Sequence, residues 1–135
     1  MGGFFIGEKM KVAFATDNGI NFMDRHFGDA LHYRIYEINE DNFELIDSIE
    51  NNTEEEKRHA DPKKAKNITN LLKEKDVQVA VSKIFGPNIK RIKSKFVCIL
   101  TKEKTIEEAI ISIQKNISLI QKEWELGEER NYLRI

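Results

Sequence analysis

The sequence predicts an α/β domain, a mixed sheet with helices packed on it. Three observations carry that expectation. Residues 10–15 (Met-Lys-Val-Ala-Phe-Ala) form a short apolar run bounded by the polar Thr16-Asp17-Asn18-Gly19, the pattern of a buried strand. Residues 31–38 and 43–49 alternate well enough for two strands, and the turn cluster Asn39-Glu40-Asp41-Asn42 between them makes an antiparallel hairpin. Two helical stripes then alternate with further short apolar runs, which calls for crossover connections.

The elements follow in order. Residues 1–9 contain three glycines, fit no period and read as a flexible extension, so the domain should begin at Met10. After the first strand, residues 21–29 form a polar loop that carries His26-Phe27-Gly28. The hairpin follows, and then a charged connection over residues 51–58. Asp61-Pro62 looks like a helix N-cap with proline at the first helical position. That helix should run to about Lys75, with Ala65, Ile68, Leu71 and Leu72 on its apolar stripe. Residues 77–82 are a fourth strand, followed by Phe85-Gly86-Pro87-Asn88, a helical turn through Ile89 and Ile92, and a fifth strand at residues 96–100. Thr105 and Glu108 have capping-box spacing. Ile106, Ile110, Ile113, Ile117, Ile120 and Trp124 then line one face of a last helix. Residues 10–126 thus read as a single domain, and residues 127–135 as a loose polar tail.

Composition narrows the function classes. The 135 residues are 40% hydrophobic and 33% charged, enough apolar content for one self-sufficient core. With 22 basic against 23 acidic side chains, bulk positive charge cannot drive nucleic-acid binding. No apolar run approaches a membrane span, and the first residues lack a signal-peptide pattern, so a soluble cytoplasmic protein is expected. A monomer or weak homodimer is expected as well. The single cysteine, Cys98, excludes an internal disulfide and an all-cysteine cluster site built from one chain. It falls on the apolar fifth strand, where a small buried hydrophobe is the ordinary role.

Charge is nonetheless segregated. Residues 37–56 carry nine acidic side chains and no basic one, while residues 83–95 carry Lys83, Lys90, Arg91, Lys93 and Lys95 and no acidic one. Each is ordinarily a solvated face. The basic stretch also surrounds Gly86-Pro87-Asn88, where backbone N–H groups and nearby cations such as Lys90 and Arg91 can hold an anion. Of the histidines, His26 stands out from His32 and His59, because it lies in a loop between strands beside Gly28. No pair of histidines has metal-ligand spacing. Asp17, after the first strand, has no second carboxylate clearly placed for two-metal chemistry. These residues specify an α/β domain with a candidate anion site and name no activity.

Two segments go further. Residues 10–19, followed by His26-Phe-Gly-Asp-Ala-Leu-His-Tyr-Arg-Ile-Tyr-Glu-Ile38, resemble the opening of the dinitrogenase iron–molybdenum cofactor biosynthesis family, which includes NifX- and NifY-type carriers and the C-terminal domain of NifB-type proteins. Residues 77–88, a strand running into Gly86-Pro87, are similar to that family's second signature, and His59-Ala60-Asp61 resembles a loop of some members. The likeness spans about residues 10–120. It implies a ribonuclease H-like, three-layer fold with a five-stranded mixed sheet. It also implies a non-catalytic role: carrying or inserting an iron–sulfur or iron–molybdenum cluster, received from donor proteins and passed to acceptor proteins, in nitrogen fixation or outside it. Carried over by position, His26 is the cluster ligand, Phe27 and Gly28 shape its loop, Gly86 and Pro87 form the second loop, and His59 is a third element. Two departures stand out. Glu74-Lys75-Asp76-Val77 occupies the place where members often have a cysteine, and His59-Ala60-Asp61-Pro62 replaces a glycine-rich loop. The acidic strip and the missing cysteine leave a second reading, a protein-interaction or regulatory domain of the same fold that has lost the cluster.

Overall fold

The computed structural model describes residues 8–51 and 63–135. Six strands form one sheet: β1 (Met10–Thr16), β2 (His32–Ile38), β3 (Phe43–Glu50), β4 (Val79–Ser82), β5 (Val97–Leu100) and β6 (Leu133–Arg134), in the order β3-β2-β1-β4-β5-β6. The first three pair antiparallel, and β1, β4, β5 and β6 run parallel. Among the described residues four helices flank them: α1 (Lys63–Glu74), the single turn α2 (Ile89–Ile92), α3 (Ile106–Lys115) and α4 (Ile117–Glu125). The sheet is mixed, as expected, and the α/β class holds.

Strand periodicity decides which side chain enters which layer. On β1, Met10, Val12 and Phe14 join Ile38, Val79, Val81, Val97 and Ile99 under α3 and α4. The intervening Ala13 and Ala15 join Ala80, Cys98, Tyr33 and Ile35 under α1 and α2. The second layer is lined by small residues because three phenylalanines, Phe27, Phe85 and Phe96, fill the space above them. Ile68 and Leu72 of α1 pack into it as the stripe requires. The cap at Asp61-Pro62 and His59 lie outside the described residues, as does the side chain of Ala65. Helix α1 ends with Asp76 at φ 61° and the amide of Val77 on the carbonyl of Leu72 at 3.1 Å, a left-handed C-terminal cap built without glycine.

The hairpin turn is as read: Asn39 Oδ1 accepts from the amides of Asp41 and Asn42 at 3.0 and 2.7 Å. Thr105 also forms its capping box with Glu108, both bonds at 3.2 Å. Two expectations need correction. The last helix breaks at Asn116, whose side-chain amide donates to the Ser112 carbonyl at 2.8 Å and whose backbone leaves helical geometry at φ −122°, ψ 22°. The sheet has six strands where five were expected, because the tail is not loose. Arg130 is 6% exposed, lies 4.2 Å over the Trp124 ring, and donates to the carbonyls of Trp124 and Ser94. That anchor brings Leu133–Arg134 onto β5. A charged residue among polar neighbours gave no apolar signal for this docking. No helix among the described residues is long and apolar enough to cross a membrane.

Candidate functional site

The C-terminal ends of β1 and β4 lie side by side at the sheet centre, where a chain leaving β1 turns one way and a chain leaving β4 the other. Ligands of open α/β sheets gather at such a point. The loop after β1 and the loop after β4 meet there. His26 forms a β-bridge with Ile84, and the amide of Phe27 donates to the Ile84 carbonyl at 2.8 Å. His26 itself is exposed, and its imidazole rests on Gly86. A β-carbon on Gly86 would fall 2.6 Å from Nδ1 and 2.7 Å from Cε1 of that ring. Gly86 also holds φ +70°, so its lack of a side chain serves both the turn and the seating of the imidazole.

Beneath the histidine the two loops are tied together. Phe27 stacks on Phe85 with centroids 5.2 Å apart and planes 16° from parallel. The Tyr33 hydroxyl donates to the Phe27 carbonyl at 2.7 Å, and Asn51 Nδ2 donates to the carbonyls of Gly28 and Ala30 at 3.1 and 2.9 Å. Burial, with the charge of Asp29, pushes the Tyr33 hydroxyl far above its usual range, so it stays a donor. At the loop's ends, Asp17 accepts from Arg25 and from the amide of Leu31, and Lys83 reaches Asp24 at 3.5 Å. Asp17 is thus a structural bracket of the loop, which accounts for it without metal chemistry.

Of the residues singled out in the sequence, His26 and Gly86 are brought into contact, and Phe27 packs on Phe85 beside them. Gly28 is half-buried, with open space where a β-carbon would be. Pro87 is exposed and sits within the 3-10 turn Gly86–Asn88, and Lys90 and Arg91 are exposed on α2. His59 lies outside the described residues. The positioning residues Tyr33, Asn51 and Arg25 carried no separate signal in the sequence, because their roles come from distant pairings. For Phe85 the available signal is an aromatic residue beside a loop glycine, as Phe27 is beside Gly28. Cys98 is buried, and burial pushes its thiol up to about 12, against smaller opposing effects of Arg130 and Lys93. It is a packed side chain, not an available thiolate. A groove of about 260 Å³ lies at the other end of β1, lined by Lys11, Ile35, Asp47 and Lys75 among others. Its walls carry an internal ion pair, Lys75 to Asp47 at 3.0 Å, and it shares no residue with the His26 edge. The exposed His26 imidazole lies apart from that groove.

A family model described as dinitrogenase iron-molybdenum cofactor matches residues 8–116. The chain belongs to that family. Membership associates it with the biosynthesis or binding of the iron–molybdenum cofactor. Both the His26 and the Gly86 loops fall within the matched span. Among solved structures, the chain is similar to one from Methanocaldococcus jannaschii described as "a putative dinitrogenase", with 18% identity, a TM-score of 0.58, and coverage of 80% of this chain and 90% of that one. At that identity the likeness speaks for the fold. No curated protein matches the chain. Among the described residues of this family member, no group of three or more His, Cys, Asp and Glu side chains converges as a metal site.

Proposed function

We propose that this protein is a non-catalytic carrier or accessory protein that holds an iron–sulfur or iron–molybdenum cluster reversibly at the His26–Gly86 edge. The observation that carries the reading is the exposed imidazole of His26 seated on Gly86 where the two loops meet. A preformed cluster brings its own sulfides, so one protein ligand suffices for a hold meant to be released. His26 supplies that ligand through an imidazole nitrogen. Phe27 and Gly28 shape its loop, Gly86 and Pro87 form the opposite wall, Lys90 and Arg91 supply positive charge for an anionic cargo, and His59 is a further contact. The partners are the proteins that donate and accept the cluster, in the cytoplasm. The order β3-β2-β1-β4-β5 with β2 antiparallel supports assigning the fold to the ribonuclease H-like group.

Anaerobic reconstitution with iron and sulfide tests the reading, with visible absorbance and metal content per chain as readouts. Wild type is expected to turn brown and hold a stoichiometric cluster. His26→Ala should lose at least about tenfold in retention, which corresponds to roughly 1.4 kcal/mol. Its melting stability should change by less than ~1 kcal/mol, since no core volume is removed. His32→Ala and Cys98→Ser should retain the cluster. Colourless, fully folded wild type would instead favour an interaction domain without cargo, and loss of the cluster in Cys98→Ser alone would move the anchor to the thiol.

A further inference from the structure

Among the described residues the β2–β3 hairpin presents an open edge: β3 pairs with β2 alone, and no other described strand covers its far side. Such edges are commonly blunted by lysine, proline or a bulge; residues 43–50 contain neither lysine nor proline, and the pairing with β2 is regular over residues 43–45 before a bulge at Ile46 interrupts it. Phe43 and Leu45 on the regular stretch are 52% and 45% exposed. The cross-strand rows that run out to this edge have a defined chemistry. Met10, Ile38 and Phe43 make one row, Lys11, Glu37 and Glu44 the next, and Val12, Tyr36 and Leu45 the third. The outer two rows are apolar. The middle row runs cation, anion, anion, with Glu37 directly opposite Glu44, an unfavourable like-charge pair. Lys11 stands opposite Glu37, and among the described residues Glu44 forms no ion pair. A strand laid outside β3 would continue these rows, and the place opposite Glu44 calls for a cation between two apolar residues. Beyond the bulge at Ile46 the amide of Ser48 is already held by the Asp47 carboxylate at 2.8 Å, so the receptive stretch is residues 43–45.

We propose that residues 43–45 dock an extended segment of a partner protein by strand addition, and that this segment carries an apolar–Lys/Arg–apolar pattern centred on Glu44. A second copy of this chain is the poorer occupant. Pairing β3 with itself offers Glu44 no cation, in a stretch where residues 37–56 hold nine acidic side chains and no basic one. The docking needs no cluster, so its test stands apart from that of the carrier reading.

The test titrates the full-length, isotope-labelled protein with a blocked peptide Ser-Thr-Val-Lys-Val-Thr-Ser and with its glutamate counterpart Ser-Thr-Val-Glu-Val-Thr-Ser. Amide shifts are read by NMR. The lysine peptide should saturate with shifts centred on residues 43–45, and the glutamate peptide should bind roughly fivefold or more weakly. Glu44→Lys, folded by its spectrum, should reverse the preference. Shifts centred elsewhere, equal response to both peptides, an unreversed preference in Glu44→Lys, or no response at millimolar peptide would each overturn the proposal. So would a wild-type dimer in sedimentation that Glu44→Lys strengthens by pairing with the wild-type edge while neither peptide competes.

Discussion

Gly86→Ala is expected to unseat the His26 imidazole and lower cluster retention by at least about tenfold, although it removes no ligand. The added β-carbon would stand 2.6, 2.7 and 2.9 Å from Nδ1, Cε1 and Cγ of the ring, closer than any real contact allows. Something must yield. The ring is the end of an exposed side chain, whereas the Gly86 backbone is fixed beside the Phe27–Phe85 stack, so the imidazole moves. Alanine at φ +70° adds about 1–2 kcal/mol of backbone strain, a loss the fold should survive. Gly28→Ala is the comparison, since its β-carbon meets nothing within 4 Å and its φ is not in the left-handed region. The checks are the His26 Cε1 resonance and the iron bound per chain. An undisturbed His26 signal with full loading in Gly86→Ala would remove Gly86 from the site.

The largest effect on stability should come from Ile113→Ala, at about 2–5 kcal/mol. Ile113 is 1% exposed at the centre of the layer between α3 and the sheet, among Ile106, Ile110 and Ile117. Three methyl or methylene groups leave a site whose walls are strands on one side and two helices on the other, so little collapse is available to refill it. For a chain of this size the melting temperature should fall by roughly 10 °C or more. Ile111→Ala, two residues away and 53% exposed, should cost less than ~0.5 kcal/mol. Denaturant titration of both variants separates the cases. A loss below ~1 kcal/mol for Ile113→Ala would mean that this helix layer tolerates voids and is not a close-packed core.

Those contrasts also show what was legible in the sequence. The alternation of Met10, Val12 and Phe14 with Ala13 and Ala15 is local, and so are the Asn39 turn and the Thr105 capping box. Each was readable because the cause lies within a few residues of the effect. The mixed sheet followed from the same periodicities. Strand β6 was not readable, since its cause is Arg130 reaching the carbonyls of Trp124 and Ser94, the second 36 residues away. The break at Asn116 was hidden because the isoleucine spacing runs on through it. At the candidate site, the sequence marked His26 and Gly86 separately. Their contact depends on β1 and β4 being neighbours, and on a Phe27–Phe85 stack that no spacing rule encodes.

The stack under His26 has a consequence for how a cargo would leave. Two loops pinned to each other by Phe27, Phe85, Tyr33 and the Phe27–Ile84 backbone bond do not swing apart cheaply, so release by opening the site is disfavoured. The imidazole, by contrast, stands at the surface, where an incoming donor atom can reach the metal while the old bond is still intact. Transfer should then follow associative ligand substitution, with a rate that rises in proportion to acceptor concentration. In stopped-flow mixing, a rate independent of acceptor would point to a loop-opening step and would mean that the buried aromatic tie is weaker than its geometry suggests.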